Sequence, residues 1–338
     1  MEKLIVRRND AEQRLDRFLR KYLKNASLSS IYKFIRKDVK VNGKRMTRES
    51  ILKEGDEIAL YFSSEDLERY TGRSPEGTEG GAGGTRRKSP PRRSFRIVYE
   101  DENILAAAKP YGLLTHGDGK EKKNTLVNQV VDYLIEKGDY IPRIERSFTP
   151  AAVNRLDRNT TGLVLFGKNA PALRALNAMI RSGDMVSKYY ITVLAGEMPG
   201  ELHLRGTLTK DEARNTVSVS EEAESGKAIE TIARPLAVKD GYTLAEVELI
   251  TGRTHQIRAH MAAAGYPVLG DGKYGDQQYN KTAEKRFGLK AQLLHAYRLC
   301  FHGCQAPLEY LSGKCFTADL PGAAERICSA LFGDMQWL

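Results

Sequence analysis

The chain has 338 residues, 41% of them hydrophobic, which is enough for one large domain with a small companion or for two medium domains. It has no run of about eighteen apolar residues, and its first residues are charged, which argues against a membrane span and a secretory leader. The formal net charge is +10, and residues 1–62 hold 16 Lys and Arg against 9 Asp and Glu. This uneven charge favours a nucleic-acid-binding part attached to a catalytic part.

Residues 1–62 have the pattern of a small domain that combines helices and strands. Helical periodicity begins near Leu15, and a second helix is expected from Ser29 or Ser30, either of which can act as its N-cap. Residues 39–46 alternate apolar and basic side chains around an Asn-Gly turn, and residues 57–62 indicate another strand. Together these elements predict a small α+β domain.

Two stretches of this region, QRLDRFL and SSIYKFIRKDVKVNGKRM, resemble the RNA-binding domain named after ribosomal protein S-four. The resemblance implies binding of structured RNA through its backbone and shape rather than through base edges. Basic residues of the two helices are then the expected RNA contacts: Arg14, Arg17, Arg36 and Lys37.

Residues 63–94 separate this domain from the rest of the chain. They are rich in Gly, Ser, Pro and charge and poor in apolar side chains, so they predict a flexible linker. Residues 95–338 form the predicted second domain, with helices at 125–137 and 172–181. Strands are expected at residues 95–98, 104–108, 163–166, 189–195 and 243–249. The mixture predicts an α+β domain around a mainly antiparallel mixed sheet with flanking helices.

The segment with the strongest chemical signal is residues 153–168, VNRLDRNTTGLVLFGK. Asp157 lies between two arginines in a polar stretch before a buried strand, a place where functional loops commonly lie. Neighbouring cations favour the ionised carboxylate that a nucleophile or a base requires. The tetrapeptide Arg-Leu-Asp-Arg also occurs at residues 14–17, where Asp16 is interpreted as a helix-surface or capping residue. The continuation NTTGL into a strand distinguishes the second copy.

The order of motifs beyond residue 95 resembles that of the RluA-type pseudouridine synthases. It runs through ILAAAKPYGLLTHG, RLDRNTTGL, SKYYITVLAG, TGRTHQIRAHMAAAGYPVLGDGKYG and LLHAYRLCF. The match spans residues 95–321, and it departs from the family at Asn154, where histidine is usual. The resemblance implies that uridine in RNA is isomerised to pseudouridine: the bond from ribose carbon 1′ to uracil nitrogen 1 breaks, and carbon 1′ joins uracil carbon 5. No cofactor is implied, because no atoms or electrons are gained.

The resemblance also implies roles for individual residues. Asp157 is the implied catalytic carboxylate, acting on the uracil ring or at the ribose, with Tyr190 against the uracil and Arg258 paired with Asp157. Because a base in folded RNA must be flipped out, Arg155 is expected to enter the vacated stack. The expected phosphate contacts are Lys109, Lys188 and Arg253.

Two other classes of function remain open on the sequence: a non-catalytic ribosome-assembly protein and a methyltransferase. A methyltransferase requires a Gly-rich cofactor loop after a strand, and none is visible in residues 95–338. The combination of this catalytic domain with the N-terminal domain resembles enzymes that act on large-subunit ribosomal RNA. We therefore expect a cytoplasmic monomer that binds RNA, with no obligate protein partner and no membrane attachment.

The histidines and cysteines of the chain do not indicate a metal site. His255 and His260 are five residues apart with no third ligand nearby, and the four cysteines, all beyond residue 299, form no C-x-x-C pair. We expect the histidines to fix a loop by hydrogen bonds and the cysteines to be isolated buried residues.

Overall fold

The computed structural model describes residues 1–72, 93–142, 144–145, 147–211, 216–220 and 226–333. Two compact units form within the chain. The first comprises Met1–Arg92, Val130–Ala151 and Lys168–Leu173, and the second comprises Arg93–Gln129, Ala152–Gly167 and Arg174–Leu338. Two segments beyond residue 95 therefore group with the N-terminal part and not with the predicted catalytic domain. No helix in the described ranges is long and apolar enough to cross a membrane.

The first unit contains a small sheet that shares an apolar core with its helices. Its N-terminal elements are β1 (Glu2–Ile5), α1 (Leu15–Tyr22), α2 (Leu28–Lys37), β2 (Val39–Val41), β3 (Glu57–Leu60) and α3 (Ser64–Thr71). The strand order is β1-β3-β2, and both pairings are antiparallel. After β2, Asn42 and Gly43 both adopt positive φ angles, as a tight two-residue turn requires. Helix α2 begins earlier than predicted, because Ser27 accepts the capping hydrogen bond from the Ser30 N–H.

Helix α3 lies within the segment that was predicted as a flexible linker. Ser63 caps it by accepting a hydrogen bond from the Asp66 N–H. Leu67 and Tyr70 pack against the core of the first unit, and this burial offsets the entropy lost when the helix forms. The linker prediction is therefore wrong for this helix. Residues 73–92 of the predicted linker lie outside the described residues.

Polar contacts within the first unit connect its N-terminal segment to residues far along the chain. The Asn9 side chain donates to the Glu145 carboxylate at 2.9 Å and accepts the Ala170 N–H, also at 2.9 Å. The Ser147 hydroxyl donates to the carboxylate of Asp10, and both residues are buried. These bonds connect the N-terminal segment to two later segments of the same unit.

The second unit is built on a sheet of eleven strands among the described residues. These are β4 (Arg96–Glu100), β5 (Ile104–Lys109), β6 (Ala151–Ala152), β7 (Thr161–Gly167), β8 (Val186–Ala195), β9 (Leu202–Asp211), β10 (Thr216–Ser220), β11 (Lys227–Lys239), β12 (Tyr242–Leu249), β13 (Leu294–Phe301) and β14 (Cys315–Thr317). The order is β10-β9-β11-β12-β8-β13-β7-β5-β4, with β14 beside β13 and β6 beside β7.

Helices lie between these strands or, in one case, follow the last of them. They are α4 (Leu126–Lys137), α5 (Ala170–Ser182), α6 (Gln256–Ala263), α7 (Gln277–Phe287), α8 (Gly322–Phe332) and a 3-10 turn at Glu309–Leu311. The pairing of β7 with β13 is parallel, whereas the flanking pairs β5–β7 and β8–β13 are antiparallel. The mainly antiparallel mixed sheet with flanking helices that the sequence predicts is therefore confirmed.

The start of β7 requires a glycine because two backbones approach closely there. Gly162 has a φ of +107° and lies against Ala296 of β13. A Cβ atom at Gly162 would lie 2.1 Å from the Ala296 carbonyl oxygen, which no real structure accommodates without a shift of the backbone. The glycine therefore allows β13 to hold β7, whose seven residues are all buried.

Replacement of Gly162 by alanine is expected to lower the free energy of unfolding by about 2–5 kcal/mol, the sum of a strained φ and an overpacked contact. The control is Gly265→Ala, since Gly265 has a φ of +86° but nothing within 4 Å of its Cβ position. It should lose only about 1–2 kcal/mol. Urea denaturation of both variants checks the difference, and equal midpoints would contradict the close approach.

The cysteines differ from the prediction. Cys300 on β13 and Cys315 on β14 form a disulfide between paired strands, whereas Cys304 and Cys328 are free and buried. The interpretation of all four as isolated residues is therefore wrong for the first pair. Strand pairing brings these two residues opposite each other, and spacing along the sequence does not reveal that pairing.

Candidate active site

The loop that carries Asp157 joins β6 to β7 and is fixed by hydrogen bonds along its length. The Asn154 amide binds two backbone groups of β7, donating to a carbonyl at 3.1 Å and accepting an N–H at 2.8 Å. The Thr115 hydroxyl donates to the Leu156 carbonyl at 2.9 Å and accepts the Leu156 N–H at 3.1 Å. Asn154, the position where the sequence departs from the family pattern, thus ties the loop to the sheet.

Lys109, at the end of β5, is buried and does not face solvent. Its ammonium group donates to three backbone carbonyls: Pro110 at 3.1 Å, Leu113 at 2.7 Å and Arg158 at 2.9 Å. Burial lowers the pKa of this ammonium group to about 7. The prediction that Lys109 contacts RNA phosphate is wrong, because its donors are used to join the turn after β5 to the Asp157 loop.

Arg258, on α6, connects two carboxylates. Its Nη1 donates to Asp157 at 2.8 Å, and its Nε and Nη2 donate to the two oxygens of Asp271 at 2.6 and 2.8 Å. Burial opposes the charge of Arg258, but the hydrogen bonds and charges of the two carboxylates outweigh burial and raise its pKa. Burial likewise opposes ionisation of the fully buried Asp271, yet Arg258 and two backbone N–H groups keep its pKa below the usual value. A buried cation thus holds Asp157 in place.

His255, directly before α6, also approaches Asp157. Its Nε2 lies 3.8 Å from the Asp157 Oδ2, and its Nδ1 lies 3.0 Å from the Tyr274 hydroxyl. That hydroxyl accepts the Val217 N–H at 2.8 Å. His255 has a φ of +57°, in the left-handed region that residues other than glycine rarely adopt. Such backbone conformations concentrate at functional sites.

A cavity of about 220 Å³ opens beside the Asp157 carboxylate. Lys188 and Tyr190 line it from β8, where residues two apart share a face of the strand, and Arg155 and Arg253 also border it. Burial raises the pKa of the Tyr190 hydroxyl and lowers that of the Lys188 ammonium group. The cavity therefore combines a half-buried carboxylate, a protonated phenol and cationic side chains.

Among the described residues, no group of three or more His, Cys, Asp and Glu side chains could hold a metal ion. His260 is buried, and its Nδ1 lies 3.1 Å from the Thr231 hydroxyl.

Comparison with known proteins bears on what this arrangement does. The family model described as RNA pseudouridylate synthase matches residues 103–263. The chain is 32% identical over 300 residues to ribosomal large subunit pseudouridine synthase C of Vibrio cholerae, covering 86% of this chain and 85% of that protein. The protein of the same name from Escherichia coli is 32% identical over 299 residues, covering 87% and 86%. The chain belongs to the RNA pseudouridine synthase family.

The synthase therefore isomerises uridine in RNA to pseudouridine, and the methyltransferase and non-catalytic interpretations do not hold. Human RNA Pseudouridylate Synthase Domain Containing 4 shares its fold, with a TM-score of 0.52 and 21% identity over 68% of this chain and 91% of that one. The motifs that carry the family resemblance include the segments that bring Asp157, Tyr190 and Arg258 to one cavity.

The predicted RNA contacts of the synthase differ in accessibility. Arg155 and Arg253 are exposed at the cavity, whereas Lys188 is buried in its wall. In the first unit, Arg14 forms a 2.8 Å ion pair with the buried Asp16 at the start of α1. Three predicted contacts of that unit are exposed: Arg17, Arg36 and Lys37. Arg14 is thus paired with its neighbour, and all of these RNA contacts stay predictions.

Three residues that shape the site received no role from the sequence: Thr115, Asp271 and Tyr274. Thr115 anchors the Asp157 loop, and Asp271 and Tyr274 hold Arg258 and His255. The last two belong to the GDGKYG segment, whose glycines signal a turn but not a function. For the two side chains that Asp271 and Tyr274 contact, the sequence offered one signal. His255 and Arg258 are three residues apart, a spacing that places both on one side of a helix start.

Proposed function

We propose that the synthase modifies uridine in large-subunit ribosomal RNA and that Asp157 is its catalytic carboxylate. The observation that carries the second part is the 2.8 Å hydrogen bond from Arg258 to a carboxylate that borders a cavity lined by Tyr190. The first part is supported by relatives whose names specify the large ribosomal subunit and which match this chain over 86% and 87% of its length.

In this proposal Asp157 acts while the uracil detaches from the ribose and turns. Attack on the ring and action at the ribose both need a carboxylate held at a fixed position, and the Arg258 hydrogen bond provides it. After ribose carbon 1′ joins uracil carbon 5, the proton on carbon 5 must leave. Tyr190 relays that proton: its hydroxyl takes the carbon 5 proton as it hands its own proton to the Asp157 carboxylate, and no free phenolate forms, because burial and the nearby Asp157 charge raise the pKa of the hydroxyl.

The target uridine has to leave the RNA stack to reach Asp157, because the carboxylate is only 21% exposed. Arg155 is exposed beside the cavity, and we assign it the vacated position in the stack, where a guanidinium plane can pack on bases. Arg253 and Lys188 then contact the phosphates next to the flipped nucleotide.

Outside the cavity, the exposed cations of the first unit provide a second RNA contact. Arg17, Arg36 and Lys37 bind the backbone of structured RNA, in the manner implied by the resemblance to the S-four domain. The synthase works in the cytoplasm, as a monomer, without a cofactor or an obligate protein partner.

The test is to map pseudouridine in RNA treated with the purified synthase and no added cofactor. Unmodified large-subunit ribosomal RNA and transfer RNA are treated in parallel, and carbodiimide labelling with primer extension locates the product. We expect a new stop in ribosomal RNA with the wild-type protein and none with Asp157→Asn. Stops in transfer RNA alone would contradict the ribosomal target, and equal stops with both proteins would contradict the role of Asp157.

A further inference from the structure

We propose that His255 is a positioning residue of the synthase that acts through Asp157, as a neutral imidazole whose Nε2–H points at the carboxylate. The inference rests on the proposed catalytic role of Asp157. It adds a second hydrogen-bond donor, beside Arg258, to the Asp157 carboxylate. His255 neither gains nor loses a proton during the reaction. Its function is to hold the carboxylate against the substrate together with Arg258.

The hydrogen-bond chain behind His255 favours one placement of the ring proton. The Tyr274 oxygen accepts the Val217 N–H at 2.8 Å, and its single hydroxyl proton is then available to a second acceptor. That acceptor is the His255 Nδ1, at 3.0 Å. An accepting Nδ1 leaves the proton of a neutral ring on Nε2, and Nε2 is the atom that faces Asp157 at 3.8 Å.

His255 and Arg258 act together on Asp157, because both side chains pack against the Tyr274 ring. The Arg258 guanidinium carbon lies 5.3 Å from the centre of the Tyr274 ring, and the His255 ring meets the same ring edge-on at 5.7 Å. The His255 Nε2 and the Arg258 Nη1 both face the same carboxylate oxygen, Oδ2 of Asp157. The 3.8 Å separation is longer than a hydrogen bond, and such contacts at active sites commonly tighten once substrate is bound.

The backbone at His255 supports a functional role over a purely structural one. Its φ of +57° places a bulky residue where glycine or asparagine is the ordinary choice. A residue in this left-handed conformation persists only where its surroundings stabilise it. Here the stabilising contact is the hydrogen bond between the His255 Nδ1 and the Tyr274 hydroxyl. The conformation aims the ring at Asp157.

The charges around the imidazole keep it neutral. The charged and titratable groups that face it are Asp157, Arg258, Asp271, Lys273 and Tyr274. Burial lowers the pKa of His255; Asp157 opposes this change, and Arg258 and Lys273 reinforce it. At a pH below the pKa of His255, the ring gains a proton. It then becomes a second cation beside Arg258 and draws the Asp157 carboxylate away from the substrate. The rate should then fall.

The test compares three variants under steady-state and single-turnover conditions: His255→Asn, His255→Gln and Tyr274→Phe. Asparagine accepts the left-handed backbone but is too short to reach Asp157, so kcat should fall about tenfold with an unchanged KM for RNA. Glutamine carries an amide N–H near the position of Nε2 and should recover most of this loss. Tyr274→Phe removes the donor to Nδ1, which should move the acid limb of the pH–rate profile to higher pH.

Each outcome decides the proposal. A wild-type kcat for His255→Asn would overturn it, as would equal losses with asparagine and glutamine or an unchanged pH profile in Tyr274→Phe. Wild-type and Asp157→Asn proteins are measured beside the variants. An inactive wild-type protein or an active Asp157→Asn protein would count against the proposed function, whereas the His255 variants judge only the inference.

Discussion

Replacement of Asp157 by asparagine is expected to lower the single-turnover rate of pseudouridine formation by roughly 10²–10⁴-fold. Asparagine has the same shape and can still accept the Arg258 hydrogen bond through its carbonyl oxygen, so the fold of the loop should persist. Its amide can act neither as a nucleophile nor as a base, whichever route the reaction takes. Release of tritium from RNA labelled at uracil carbon 5 measures the rate, because that hydrogen is lost to water.

Asp319→Asn is the matched control for this substitution. Asp319 lies in the same unit and pairs with Arg96, but both side chains are well exposed, at 78% and 60%. Such a surface pair contributes little, so the same chemical change should leave the rate and the melting temperature close to wild type. RNA affinity should be preserved in both variants. An Asp157→Asn rate within tenfold of wild type would remove Asp157 from the chemistry.

Replacement of Arg258 by methionine is expected to lower the free energy of unfolding by about 3–5 kcal/mol and to reduce the rate as well. The loss of stability arises at Asp271, whose fully buried carboxylate would lose its cationic partner and keep the backbone N–H donors of Lys273 and Tyr274. The loss of rate arises at Asp157, which would lose its 2.8 Å partner. Urea denaturation and the tritium assay, below the melting temperature of the variant, measure the two effects separately.

The control for this variant is Arg96→Met, which removes the exposed partner of Asp319 and should cost less than about 1 kcal/mol. A second variant separates charge burial from packing. Adding Asp271→Asn to Arg258→Met removes the uncompensated charge, so part of the lost stability should return while the rate stays low. No recovery in the double variant would mean that the guanidinium acts mainly by packing.

The sequence predicts the elements of the fold well where periodicity is strong. The helix at 125–137 and the strands at 163–166 and 243–249 are all present, with ends within two residues of the expectation. Helix α3 was missed because its overall polarity resembles that of a linker. Its Ser63 cap, the acidic first turn and the spacing of Leu67 and Tyr70 were visible signals, but they outweigh composition only where a core lies nearby.

The candidate site was predicted correctly where a family motif assigns a role to a residue. It was not predicted where burial determines what a side chain contacts. Asp157 and Arg258 were paired correctly, because the family motifs imply both the carboxylate and its cationic partner. Lys109 was assigned to RNA phosphate as a cationic residue of a family motif. Its burial follows from the turn that presents three carbonyls to one ammonium group, an arrangement set by tertiary packing. The Cys300–Cys315 disulfide was missed for the same reason, because strand pairing brings these two cysteines together.

The contacts of Asn9 and Asp10 limit how freely the N-terminal part can be exchanged or lost. A chain that began at residue 93 would leave Glu145, Ser147 and the Ala170 N–H without these partners. The first unit is thus assembled from three separate stretches of the chain, so a descendant that discarded its N-terminal stretch, or acquired another in its place, would need compensating substitutions at Glu145 and Ser147 before that unit was stable again.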